Sequence, residues 1–292
     1  MQRFELLRWR SLMAYLLLAC ALSAPSKSAD HPDYSKMPVS QLIDELMQID
    51  GQTPGVNSAA VYDGFIGGDK PSSFTMGVLG VAPPIVPPQM HELVRRGPLA
   101  LPELIKHLDD KRPTRLEVGN KLPRSEHPQV GVDFFMFSYF SDEYDPRLRD
   151  FEAKSRPEPM QKNFTGRYTV KVADVCFMLI GQIVSRHFVA VRYQPSAGLV
   201  VNSPIEAPAL AEKIRSDWGN ADAEAVKASL LRDIRSVDPA NDKSVYVLFV
   251  ANAAMERLRL YFPDTYNTLQ GDDLKKRREF EKEEEKRQSL KN

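Results

Sequence analysis

The sequence predicts a mainly α-helical fold, an irregular array of short helices carrying one small β-hairpin insertion. Three observations lead there. Apolar residues recur three and four apart through most of the chain from Met37 to Phe262. Gly and Pro cut that rhythm into segments too short to stand alone. One stretch, Phe134–Tyr144, abandons it and reads as a buried strand. The 292 residues are 42% hydrophobic and 27% charged, enough to bury a core without disulfide staples. Basic and acidic side chains number 39 each, so the chain carries no general positive field to gather nucleic acid.

The first residues read as an export signal. Arg3, Arg8 and Arg10 precede the apolar run SLMAYLLLACALSA, which is too short for a confident membrane span. Ala19-Cys20-Ala21 offers a small-x-small cleavage site, giving a signal peptide over 1–21. Leu17–Cys20 (LLAC) also resembles a bacterial lipobox, which would end the signal before Cys20 and lipidate it. An uncleaved anchor is the third reading. Residues 22–36 follow as a flexible leader. The second of the two cysteines, Cys176, sits between Val175 and Phe177 and reads as a buried, inert thiol.

Residues 37–270 are expected to form a single helical domain. Met37–Asp50 places Val39, Leu42, Ile43 and Leu46 at helical spacing, with Pro38 suited to a first turn. Residues 51–88 are rich in Gly, Pro and Ser and read as a long loop with one short helix near Ala59–Phe65. Met90, Leu93 and Val94 form the next stripe, which Gly97 can close in a left-handed conformation. Pro98 stops that helix, and Pro102 fits the first turn of a second carrying Leu101, Leu104, Ile105 and Leu108.

The stretch ELVRRGPLALPELIKHLDD resembles one HEAT-type helical pair: a first helix, a Gly-Pro turn, and ALPELIKHL as the inner helix. The resemblance covers about one repeat and implies an irregular HEAT-like, solenoid-like array. Together with DVCFMLIGQIVSR and VRYQPSAGLVVNSP, it also makes the chain similar to uncharacterised exported bacterial proteins, a likeness that implies no activity.

The β insertion is expected near 132–172, with Arg167–Val172 (RYTVKV) pairing with Phe134–Tyr144. Asp174 is placed to cap a helix over Val175–Arg186. Further helices are expected over Ala207–Trp218, closed by Gly219, over Ala223–Ile234, capped by Asp222, and over a longer stretch ending before Pro263. Residues 271–292 mix both charge signs and read as a solvated helix or tail.

The phosphate-cradling glycine patterns, C-x-x-C, G-x-S-x-G and S-x-x-K are absent from the sequence. HELVR, from His91, begins like a zinc-protease helix but carries Arg95 where a second histidine is needed. Two constellations remain. Asp142, Glu143 and Asp145 lie beside Tyr139 and Tyr144, the side-chain types glycan hydrolysis needs; the plainer reading is a strand-ending turn at Asp145-Pro146. Gln182, Arg186, Arg192, Tyr193 and Gln194 interrupt the most apolar stretch. They form either an anion-binding pocket or the structural bonds of a buried helix, with Gln182 satisfying backbone groups of an adjacent loop.

These readings favour an exported, non-catalytic protein-interaction or scaffold module of the bacterial envelope. The alternatives are an envelope hydrolase acting on glycan or peptide through Asp142, Glu143 or Asp145, and a small anion-binding module. The expected partner is another envelope protein, with no nucleic acid, no metal and no cofactor. The membrane is reached only through a lipid on Cys20.

Overall fold

The structure, a computed structural model, describes residues 32–51, 56–58, 64–69, 85–119, 135–137, 167–193, 199–236, 245–269 and 282. All the elements below belong to the compact unit Tyr34–Asn292. The described residues are mostly helical. In chain order the helices are α1 (Val39–Asp44), α2 (Pro88–Arg96), α3 (Leu101–Lys106), α4 (Val172–Val184), α5 (Pro208–Trp218), α6 (Ala223–Arg235), α7 (Val245–Tyr261) and α8 (Pro263–Thr268).

The centre is α4. All thirteen of its residues are buried, as suits a helix apolar on every side. Packed on it are α2, α3 and the 3-10 turn His107–Asp109. The inward residues of α2 are Met90, Leu93 and Val94, and those of α3 are Leu101, Leu104 and Ile105, as the stripes predict. Gly97 ends α2 at φ +55°, and Pro98 opens the short 3-10 turn Gly97–Leu99 that leads into α3. α6 packs on α7, and α8 on the end of α7. Pro263, expected only as a stop, stands in the first turn of α8.

The strands are β1 (Val56–Ser58), β2 (Pro113–Gly119), β3 (Phe135–Phe137), β4 (Arg167–Lys171), β5 (Val191–Tyr193) and β6 (Leu199–Val201). They form a two-stranded sheet, β2-β4, and a four-stranded sheet in the order β1-β5-β6-β3. This corrects the expected hairpin. β4 pairs antiparallel with β2, while Phe135–Phe137 runs parallel to β6 in the other sheet. The reason lies in the side-chain pattern. β2 buries Thr114, Leu116 and Val118 and turns the residues between them outward; β4 buries Tyr168 and Val170. Two strands with one wet face each match, and the Thr114 hydroxyl donates to the Val170 carbonyl at 2.9 Å across them. A stretch apolar on both faces is a poor partner for such a ribbon.

Two further expectations change. The helix expected near Ala59–Phe65 falls mostly on 59–63, which lie outside the described residues; its last two positions, Gly64 and Phe65, are not helical. α4 starts at Val172, so Asp174 is its third residue and not its cap. The Asp174 side chain nevertheless accepts the Lys171 backbone N–H at 2.8 Å. The turn before β2 satisfies two more N–H groups at the same helix start: Val172 donates to the Arg112 carbonyl at 3.0 Å and Ala173 to that of Asp110 at 3.1 Å.

Candidate functional site

The polar residues of the central helix meet a buried network at its C-terminal half. Gln182 is nine-tenths buried. Its Oε1 accepts the Ile66 backbone N–H at 3.3 Å, and its Nε2 donates to the Gly64 carbonyl at 3.5 Å. One amide side chain thus stands in for a strand partner and fastens an irregular loop to the core. His91 of α2 holds the same loop through the Gly68 carbonyl, 3.2 Å away.

Arg257 of α7 enters from the other side. Its Nε donates to the Gln182 carbonyl, Nη1 to the Ala253 carbonyl at 2.7 Å, and Nη2 to Gln182 Oε1 at 3.3 Å. The Phe65 ring covers the guanidinium at 4.5 Å. Burial pulls Arg257 down to about 10, so it stays charged at neutral pH, held by carbonyl dipoles and a ring face. Sequence reasoning missed this residue. The signal was there: Arg257 follows Ala254 by three and so flanks the apolar stripe of its helix.

Arg186 follows the end of α4. The helix closes at Ser185, a non-glycine residue at φ +57° and ψ +49°, and the Arg186 N–H donates back to the Gly181 carbonyl at 2.9 Å. A methyl group at Gly181 would stand 2.6 Å from the Arg186 carbonyl oxygen and 2.6 Å from Phe188 Cβ, so this close return requires glycine. The guanidinium then donates to Asp233 Oδ2 at 2.7 Å and Ser229 Oγ at 2.9 Å, both on α6, and lies 5.5 Å from the Trp218 ring centre. The guanidinium also donates to the Val184 and Ser185 carbonyls at 3.0 and 2.9 Å.

The five residues of the sequence-derived pocket therefore do not share one description. Gln182 bonds to the loop at 64–69 and to Arg257, and Arg186 bonds to α6. Arg192 and Tyr193 lie in β5, in register with Val200 and Leu199 of β6. Gln194 lies outside the described residues, as do Asp142, Glu143, Asp145 and Cys20. Cys176 is buried and unbridged, and burial pushes its thiol well up. Among the described residues no three His, Cys, Asp or Glu side chains assemble in a metal-binding group. Nor, among them, is any helix long and apolar enough to cross a membrane.

A second polar cluster lies on the surface near the start of α4. Asp110 accepts from the Arg112 backbone N–H at 3.1 Å and from its guanidinium at 2.6 Å, and His107 Nδ1 is 2.9 Å away. Arg112 reaches on to Asp44 of α1 at 2.6 Å. Burial pushes Asp110 up, but the Arg112 and His107 bonds outweigh it and hold the carboxyl at about 2.

What these arrangements do chemically is hold. Gln182 and Arg257 join α4, α7 and the loop at 64–69; Arg186 joins α4 to α6; Arg112 joins α1 to the turn before β2. No family model, curated protein or solved structure matches the chain.

Proposed function

We propose that the chain is a non-catalytic interaction module that works outside the cytoplasm, delivered by its apolar leader and bearing a HEAT-like, irregularly stacked helical body. The observation that carries this reading is Leu99. It is 81% exposed in the turn between α2 and α3, the pair that resembles a HEAT unit, while Met90, Leu93, Leu101 and Leu104 of the same pair are fully buried. A leucine side chain left in water gains stability when another protein's apolar surface covers it. The polar groups of the central helix support the same reading, since Gln182 and Arg186 are committed to internal bonds.

The test places a photo-crosslinking residue at position 99 of the full chain in a bacterial host and irradiates intact cells. A discrete adduct with one envelope protein is expected, competed away by excess unlabelled chain. The same residue at Glu224, whose side chain is 73% exposed, provides the control. Equal labelling at both positions, or none at 99, sinks the reading. The mass of the mature chain tests delivery separately. A start after Ala21, or a lipid on Cys20, is expected; an intact Met1 in the cytosol excludes it.

A further inference from the structure

Asp174 is fully buried at the third position of α4. Its Oδ2 accepts the Tyr168 hydroxyl at 2.7 Å and the Lys171 backbone N–H at 2.8 Å. Its Oδ1 is equally buried and, among the described residues, has no donor in hydrogen-bond geometry, although the Ser203 hydroxyl lies close enough to act on the carboxyl. Lys171, the cation that acts on it, sets its Nζ over the Tyr168 ring at 4.5 Å and donates to the Thr169 carbonyl at 3.1 Å.

The groups around Asp174 come from three elements. β4 supplies Tyr168 and Lys171. The segment after β6 supplies the Ser203 hydroxyl and, against Tyr168, Glu206. Cys176, two residues on in α4, feels Asp174 together with Asp110 and Arg112 of the turn before β2. An ionised carboxyl here would place charge in a dry interior with one oxygen poorly bonded, more costly than the neutral acid. Burial raises the carboxyl above its usual range, against the lowering pull of Ser203, the Lys171 N–H, Tyr168 and the Lys171 charge.

We infer that Asp174 forms a pH-sensitive joint between β4, the start of α4 and the Asn202–Ser203 segment, tight in acid and looser as its proton leaves. That segment is tied to the chain leaving α4 by Asn202, which donates from Nδ2 to the Val189 carbonyl at 2.8 Å and from its backbone N–H to that of Ala190 at 2.7 Å. Loss of the proton thus acts where both ends of the central helix are anchored.

The sign follows from the raised carboxyl. Its stabilisation is complete below the ordinary aspartate value of about 4 and is lost as pH rises towards the folded value. Each pH unit in that window multiplies the unfolding constant by up to about ten. Glu92, Glu103 and Asp110 are lowered and act in the opposite direction, so the readout must be a difference.

Urea unfolding of the full chain and of Asp174→Asn is compared from about pH 4 to about pH 8, a range that starts at the ordinary aspartate value. Asparagine keeps an acceptor for Tyr168 and Lys171 and cannot ionise. The ratio of the wild-type to the variant unfolding constant is expected to climb by up to about tenfold per unit before levelling. A ratio flat across the range overturns the inference. Carbon NMR of aspartate-labelled wild type stands independently of whether the variant folds. One carboxyl carbon is expected to titrate above the ordinary aspartate value of about 4; every aspartate titrating at or below that value overturns the inference.

Discussion

The Arg186 guanidinium donates to Asp233 at 2.7 Å, and both side chains are about nine-tenths sheltered from solvent. This pair fixes the end of the most buried helix to α6. Breaking one partner of a sheltered pair leaves the other charge stranded. Asp233→Ala is therefore expected to cost about 3–5 kcal/mol in urea unfolding. The double variant Arg186→Met with Asp233→Ala should cost clearly less than the two singles summed, because it strands no charge. A strictly additive cycle would mean that the pair is decorative.

Gln182 and Ile66 give a second prediction. In Gln182→Leu the volume is nearly kept, but the Ile66 N–H loses its acceptor and Arg257 loses one of its carbonyl partners. A loss of about 1–3 kcal/mol is expected, the cost of leaving buried donors unsatisfied. Amide hydrogen exchange at Ile66 should quicken more than exchange along α2. Unchanged protection at Ile66 would show that the loop is held by the burial of its side chain alone.

These two relationships show what was legible beforehand. A glutamine in an otherwise apolar helix must satisfy something, so its bond to a loop was readable from DVCFMLIGQIVSR alone. Which loop was not, because Ile66 is 116 residues away and the Gly-rich segment around it has no periodicity. Arg257 was passed over for a different reason: its spacing from Ala254 pointed inward, but its neighbours did not. It sits between Glu256 and Leu258 in a run with Arg259, where an arginine reads as solvated, and only the approach of Phe65 and Gln182 makes it interior. The helical stripes of α2 and α3 were legible because each is local. The partner of β4 was not, since 56 residues separate Thr114 from Val170 and the alternation of PTRLEVG follows directly on a helix.

Acid should loosen the surface cluster at Asp110. Its carboxyl is held at about 2, below the ordinary value, so its stabilisation is complete above about pH 4 and disappears as pH falls through about 2. Arg112→Gln removes the guanidinium that donates to Asp110 and to Asp44. The acid unfolding midpoint of this variant, followed by circular dichroism, is expected to rise, with little change in stability difference above neutrality. An unaltered acid midpoint would mean that the Asp110 carboxylate is held by His107 and the backbone without help.

Gly97 and Tyr261 provide the sharpest steric test. Gly97 has φ +55°, and a methyl group there would lie 2.5 Å from the Tyr261 ring. The ring cannot retreat freely: its hydroxyl donates to the Val94 carbonyl at 2.6 Å, and it stands edge-on to Phe65 at 6.1 Å. Gly97→Ala thus combines backbone strain with overpacking and is expected to cost about 2–5 kcal/mol. Gly51→Ala meets nothing within 4 Å and should be neutral or stabilising by about 0.4–1 kcal/mol, through a less flexible unfolded chain. Thermal unfolding of the two variants side by side separates the effects, since both add the same methyl group. If they shift the midpoint equally, the contact between the α2 turn and the end of α7 does not constrain the fold.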